Sequence, residues 1–215
     1  MLSDIPEIAA MKDEFRALSS LYHAQKGERF EIQKPKVGKD ESVRKSIYYY
    51  LNSSGMYDHL IEPGKYVQLY DRKLDEVVMS NTPMEFYTNY DFISTARGDI
   101  LVGGLGLGLL ELSIQDRPEV NSITVVEYYP EIIEMILSQL NFRSSVSVIN
   151  EDILHFSTKK KFDIAYFDIW NDVSMHNYSG MRDLRMKFSG SLKDSSSWLG
   201  CWREEECKML YESTR

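Results

Sequence analysis

Apolar residues recur at the helical spacing from the start of the chain. Ile5, Ile8, Phe15, Leu18 and Tyr22 fall close to a 3.6-residue period, and Asp4 with Glu7 brackets Pro6 as a capping pair in the first turn. An amphipathic helix is predicted over residues 5–22. A charged connector, KGERFEIQKPKVGKDE, leads to a second helical pattern in which Val43, Ile47, Tyr50 and Leu51 share a face before NSSG ends it. Two β-rich runs, 66–70 and 76–79, are separated by a polar turn and read as a hairpin. Thr82, Pro83 and Glu85 then combine an N-cap, a proline at the first helical position and a reciprocal acid. The helix they start carries Phe86, Tyr90 and Ile93 on one face and stops at Gly98.

Beyond that glycine the pattern changes to strands alternating with helices. Apolar runs at 100–102, 123–126, 146–149 and 164–167 are bounded by polar or turn residues, with helical periodicity over 107–114 and 131–140 in the first two gaps. Such alternation predicts βαβ crossovers and a mostly parallel, Rossmann-like sheet covered on both faces. After Trp170 come a polar loop, a helix candidate near 181–188, a serine cluster and a final helix from about Arg203. SSWLG offers one further strand, which gives a sheet of about five strands, a normal number. The fold class is therefore α/β, with an N-terminal extension of helices and a β-hairpin over 1–80, expected to cover the pocket, and a Rossmann-like domain over 81–215.

Composition narrows the class of protein. With 215 residues and 43% hydrophobic content, the chain is long enough to bury a substantial core. The net charge is −8, and the 25 Lys and Arg residues are scattered rather than gathered in a stripe, which disfavours a nucleic-acid partner. Cys201 and Cys207 are the only cysteines and form neither a disulfide framework nor a zinc spacing, so free thiols and no metal are expected. The amino terminus is acidic and periodic, unlike a signal peptide, and no run of about 18 apolar residues occurs. A soluble, cytoplasmic protein is the expectation, with its oligomeric state open, a homodimer included.

DILVGGLGLGLL, residues 99–110, places four glycines where a first strand turns into its helix. In a doubly wound sheet this turn lets a ligand approach the backbone. The dinucleotide pattern GxGxxG fails, because Gly104 and Gly106 are followed by Leu109 at the third position. The GxxxxGK[ST] phosphate loop is absent as well. Read as GxGxG, with Gly104, Gly106 and Gly108, the stretch is complete. Acids follow at the expected strand ends: Glu127 after the second, Asp152 after the third and Asp168 after the fourth.

Together GGLGLG, VVEYYPEII, INEDIL and FDIAYFDIW resemble the class I fold of S-adenosylmethionine-dependent methyltransferases, and within it the spermidine synthase-like branch, over about residues 99–170. The resemblance implies S-adenosylmethionine as cofactor. It places Gly103, Gly104, Gly106 and Gly108 against the methionine and ribose portion, and gives the ribose hydroxyls to Glu127 with Tyr128 beside it. Asp152 would accept the adenine amino group and Ile153 would pack on the ring. Val102 stands where methyltransferases usually carry an acid, and the spermidine synthase branch also lacks that acid. Gly64 and Gln68 in GKYVQLY look like the residues leading into the small β-domain of that branch, where the glutamine approaches the cofactor. The DxxDP of aminopropyl transfer is missing, since Asp168 is followed by Ile-Trp-Asn-Asp, and the NPPY of amino methyltransferases is missing too. Small uncharacterised methyltransferase-like proteins of phage and bacterial genomes show a similar GLGLG, FDIW and tryptophan-rich SSWLGCWREEEC tail.

The implied reaction is methyl transfer to a small-molecule or protein acceptor. Asp168 is the candidate base, with Asp172 or His176 nearby. These acids equally read as two exposed loop residues, His176 as an incidental loop histidine, and Asp152 as the cap of a short helix. The tyrosine runs IYYY and EYYP could cover a sulfonium by cation–π attraction, worth about 0.5–2 kcal/mol, or serve only in packing. A non-catalytic nucleoside-binding module is the alternative from another class. A NAD-dependent oxidoreductase requires Leu109 to fit where a small residue is normal.

Overall fold

Helix α1 (Pro6–Ala17) starts at the expected proline, with Ile5 as an extended N-cap that makes no side-chain cap bond. The computed structural model describes residues 5–42, 44 and 61–214. Asp4 of the capping pair and the helical pattern of Val43, Ile47, Tyr50 and Leu51, with IYYY, lie outside the described residues. Ile8 and Phe15 are buried while Ile5 is 43% exposed. The expected single helix ends early: Leu18–Leu21 tightens into a 3₁₀ turn, after which Tyr22 is extended and buried.

The charged connector folds into strands. β1 (Gln25–Lys26), β2 (Phe30–Gln33) and β3 (Lys36–Val37) lie within it. Phe30 and Ile32 are buried and alternate with Glu31 and Gln33, a period-two signal that the surrounding charges masked. β3 pairs with β4 (Gly64–Lys65). The expected hairpin forms from β5 (Gln68–Asp71) and β6 (Glu76–Ser80), antiparallel, and joins a four-stranded sheet in the order β1-β2-β5-β6.

Asp71 closes the hairpin turn. Its carboxylate accepts the backbone N–H of Lys73 at 2.9 Å and of Leu74 at 3.2 Å, and pairs with Arg29 Nη2 at 2.6 Å. Burial raises the carboxyl's pKa, but the Arg29 hydrogen bond, the two N–H donors and the guanidinium charge outweigh it and hold Asp71 below the usual carboxylate range. A depressed folded-state pKa contributes stability above the unfolded value of about 4, which is lost as pH falls through the folded value. Arg29→Met is expected to cost about 3 kcal/mol at pH 7, the lower end for breaking a buried pair because Arg29 is partly exposed. Urea midpoints should show the difference shrinking as Asp71 protonates; a difference that stays constant with pH would refute the pairing.

The helix predicted after Pro83 is two helices, α2 (Pro83–Thr88) and α3 (Tyr90–Thr95). The break falls at Asn89, where φ is −102° and Nδ2 donates to the Glu85 carbonyl at 3.0 Å, a local bond that competes with helix continuation. Glu85 Oε2 accepts the Ser80 N–H at 3.2 Å.

The parallel sheet follows as its apolar runs dictate. β7 (Gly98–Gly103), β8 (Val120–Glu127), β9 (Val146–Asn150), β10 (Ile164–Phe167) and β11 (Trp198–Cys201) lie in the order β9-β8-β7-β10-β11, all pairs parallel. SSWLG thus supplies a fifth parallel strand. Between them run α4 (Leu109–Ile114), α5 (Pro130–Leu137) and α6 (Met175–Ser189), with α7 (Glu204–Ser213) last. Period-two alternation divides β10. Ala165 and Phe167 join Leu101, Val126, Met181, Leu184 and Phe188 in one core, while Tyr166 stacks on Phe92 at 4.4 Å.

Contacts divide the chain into two units, Met1–Tyr90 with Gly106–Ser113 and Glu134–Asn141, and Asp91–Leu105 with Ile114–Ile133 and Phe142–Arg215. The two units interleave along the sequence. Within the first unit, Tyr22 donates to the Leu107 carbonyl, His23 N–H to Gln139 Oε1 at 2.9 Å, and Gln139 Nε2 to Gln25 at 2.6 Å. No described helix is long and apolar enough to cross a membrane.

Candidate functional site

Strand order locates the site before any side chain is considered. From β7 the chain proceeds outward to β8 and β9, then returns to place β10 on the other side of β7 and β11 beyond it. In open α/β sheets ligands bind outside the carboxyl ends of the strands at such a switch point. Here those ends are Gly103 and Gly104 on β7, Glu127 on β8 and Asp168 after β10.

The two central strands close on each other through backbone. Asp168 N–H donates to the Gly103 carbonyl at 2.9 Å, and Gly104 N–H to the Val126 carbonyl at 2.9 Å. Gly104 has φ +98°, and a Cβ there would overlap the Asp168 carbonyl oxygen. Glycine is required at this position by the neighbouring strand end.

Glu127 ends β8 with only 5% of its surface exposed. Its Oε2 accepts the Leu105 N–H at 2.9 Å and its Oε1 the Tyr129 N–H at 2.7 Å. Asn150 Nδ2 donates to the carbonyls of Glu127 at 2.9 Å and Tyr128 at 3.0 Å, fixing the strand end from β9. The two backbone donors, one on each oxygen, fix the orientation of the carboxylate. Tyr128 is 60% exposed, edge-on to Tyr129 at 4.8 Å.

The remaining candidates divide. Asp152 caps the turn after β9, with Oδ1 accepting the Leu154 N–H at 2.9 Å and Oδ2 lying 3.2 Å from His155 Nδ1. Ile153 is 4% exposed and packs in the core with Phe167. Lys187 donates to the carbonyls of Ile153 at 3.0 Å and Leu154 at 2.6 Å, a support for this turn that a lone helical lysine does not signal in sequence. Asp172 accepts from Asn177 Nδ2 at 3.1 Å, and exposed His176 opens α6 with its N–H on Ser174 Oγ at 3.2 Å. In the first unit Gly108 accepts the Leu112 N–H at 3.1 Å, and Gln68 donates to Gln33 at 2.7 Å across β5 and β2.

No family model matches the chain, and no curated protein does either. Solved structures do share part of it. The N-methyltransferase NodS from Bradyrhizobium japonicum WM9, in complex with S-adenosyl-L-homocysteine, is 22% identical over 56% of this chain and 61% of its own, with TM-score 0.41. SAM-bound CalS10, an amino pentose methyltransferase from Micromonospora echinaspora, is 15% identical over 54% of this chain and 45% of its own, with TM-score 0.39. The glycopeptide N-methyltransferase MtfA, complexed with S-adenosyl-L-methionine, is 15% identical over 54% of this chain and 52% of its own, with TM-score 0.41. The chain thus spans about half the length of these solved chains.

Both cysteines are free and buried. Burial, followed by the Glu204 carboxylate, pushes the Cys201 thiol up, and burial does the same to Cys207. A buried, protonated thiol is a poor nucleophile at neutral pH. No cluster of metal-ligating side chains occurs among the described residues.

Proposed function

We propose that the carboxyl ends of β7 to β10 hold S-adenosylmethionine and that the protein is a methyltransferase acting on a small molecule or a protein. The supporting observation is Glu127, a buried carboxylate at the end of the second strand from the switch point, oriented by two backbone donors. A carboxylate at this strand end is the acceptor type that a vicinal diol needs, and the carboxylates of Glu127, Asp152 and Asp168 together make these strand ends anionic, which suits a cation. Gly103 and Gly104, with Gly106 and Gly108 following in the chain, belong to the cofactor loop in this reading. Tyr128, Ile153 and Gln68 complete the proposed set. Val102, fully buried in β7, leaves no acid before the glycines, which supports reading the chain as one of the spermidine synthase-like branch. We take the protein as cytoplasmic.

When bound, S-adenosylmethionine supplies a methyl group activated by its sulfonium. The chain has to align the acceptor and remove its proton. Asp168 does the latter, its backbone fixed to Gly103 at the end of β10, with Asp172 in the loop before α6 and His176 in its first turn. Asp168→Asn is expected to lower turnover by about 10²–10⁴-fold, the usual range for a general base, while leaving affinity for S-adenosylmethionine nearly intact. Calorimetry together with a methyl-transfer assay separates the two, and equal loss of both would remove Asp168 from the role. Tight binding with no turnover against broad acceptor pools would favour a non-catalytic binding module.

A further inference from the structure

The residue between two left-handed glycines is ordinarily the freest part of a loop. Gly106 has φ +50° and Gly108 φ +72°, so the peptides on either side of Leu107 are flanked by conformationally permissive positions. Both are nevertheless pinned by side chains from the first unit. Leu107 N–H donates to Met79 Sδ at 3.2 Å, and the Leu107 carbonyl accepts from the Tyr22 hydroxyl. Tyr22 and Met79 are themselves buried. Burial, then the charge of Glu111, raises the Tyr22 pKa, which keeps the hydroxyl protonated as a donor. A Cβ on Gly106 would fall 2.5 Å from Met79 Sδ, so the thioether fills the space a side chain would take. The Leu107 N–H is therefore aimed at protein sulfur, and the loop is set by the amino-terminal segment.

We infer that Tyr22 and Met79 are positioning residues: a two-point clamp on Leu107 that presets the glycine loop for S-adenosylmethionine, making the N-terminal segment part of the cofactor-binding machinery. This rests on the function proposed above. Presetting lowers the ordering cost that binding would otherwise bear, so loosening the clamp weakens affinity without removing any ligand contact.

Two variants of the full chain test the clamp. Met79→Leu keeps volume and removes the acceptor; Tyr22→Phe removes only the hydroxyl. Each is expected to weaken S-adenosylmethionine about tenfold, the scale of one hydrogen bond, and to lower the urea midpoint modestly because a buried Leu107 backbone group loses its partner. Amide exchange supplies a readout that needs no ligand: Met79→Leu is expected to speed exchange at Leu107 and leave the β7 amides unaltered. Unchanged exchange at Leu107 would overturn the clamp, whatever the parent binds. Faster exchange with undiminished affinity would overturn its role in binding. If the parent itself fails to bind S-adenosylmethionine while Leu107 exchange rises as expected, the proposed function falls and the clamp stands as a loop-setting device alone.

Discussion

Gly104→Ala is expected to destabilise the protein severely, by about 2–6 kcal/mol. Two costs combine. The residue sits at φ +98°, where a non-glycine residue carries about 1–3 kcal/mol of strain. The new methyl group would also overlap the Asp168 carbonyl oxygen, a backbone atom that no side-chain rotation can move, which adds about 1–3 kcal/mol of overpacking. Gly106→Ala is the control on the same loop. There the obstacle is the Met79 thioether, the far end of a flexible side chain, so the cost should be smaller. Urea unfolding of both variants checks this, and equal midpoints would show that the approach of β7 to β10 does not constrain Gly104.

Glu127→Ala should cost a similar amount. Its carboxylate accepts two buried backbone N–H groups, from Leu105 and Tyr129. Hydrogen bonds to a charged group contribute about 1.5–3 kcal/mol each, so roughly 3–6 kcal/mol is expected to be lost. Glu127→Gln keeps one acceptor oxygen and turns an amide donor toward the second N–H, and should lose about half as much. In the proposed function both variants also lose the ribose acceptor, so affinity for S-adenosylmethionine falls further than stability does. An alanine variant as stable as the parent would mean that Glu127 is a solvated strand-end acid.

The parallel sheet is legible because strands covered on both faces carry apolar runs, as at 100–102 in β7, 125–126 in β8 and 164–167 in β10, while β9 shows only Val146, Val148 and Ile149 around Ser147. β11 was visible only as SSWLG, its direction unspecified. β1 and β2 were hidden: Phe30 and Ile32 alternate correctly, but the charges around them read as a connector. The helix after Pro83 was read as one because periodicity carries across Asn89, whose side-chain bond to Glu85 interrupts it. For the site, the positions of Glu127, Asp152 and Asp168 followed from strand ends alone. What forces glycine at 104 and 106 did not, since Asp168 and Met79 lie far away in sequence and are brought there only by folding. At both positions the direction a Cβ would take is occupied by protein.

Calorimetric titration of the full chain with S-adenosylmethionine, S-adenosylhomocysteine and NAD tests the central proposal most directly. S-adenosylmethionine and S-adenosylhomocysteine are expected to bind, and NAD is not, because Leu109 occupies the place of the third small residue in a dinucleotide fingerprint. Binding of NAD alone, or no binding of either sulfur nucleoside, would contradict it.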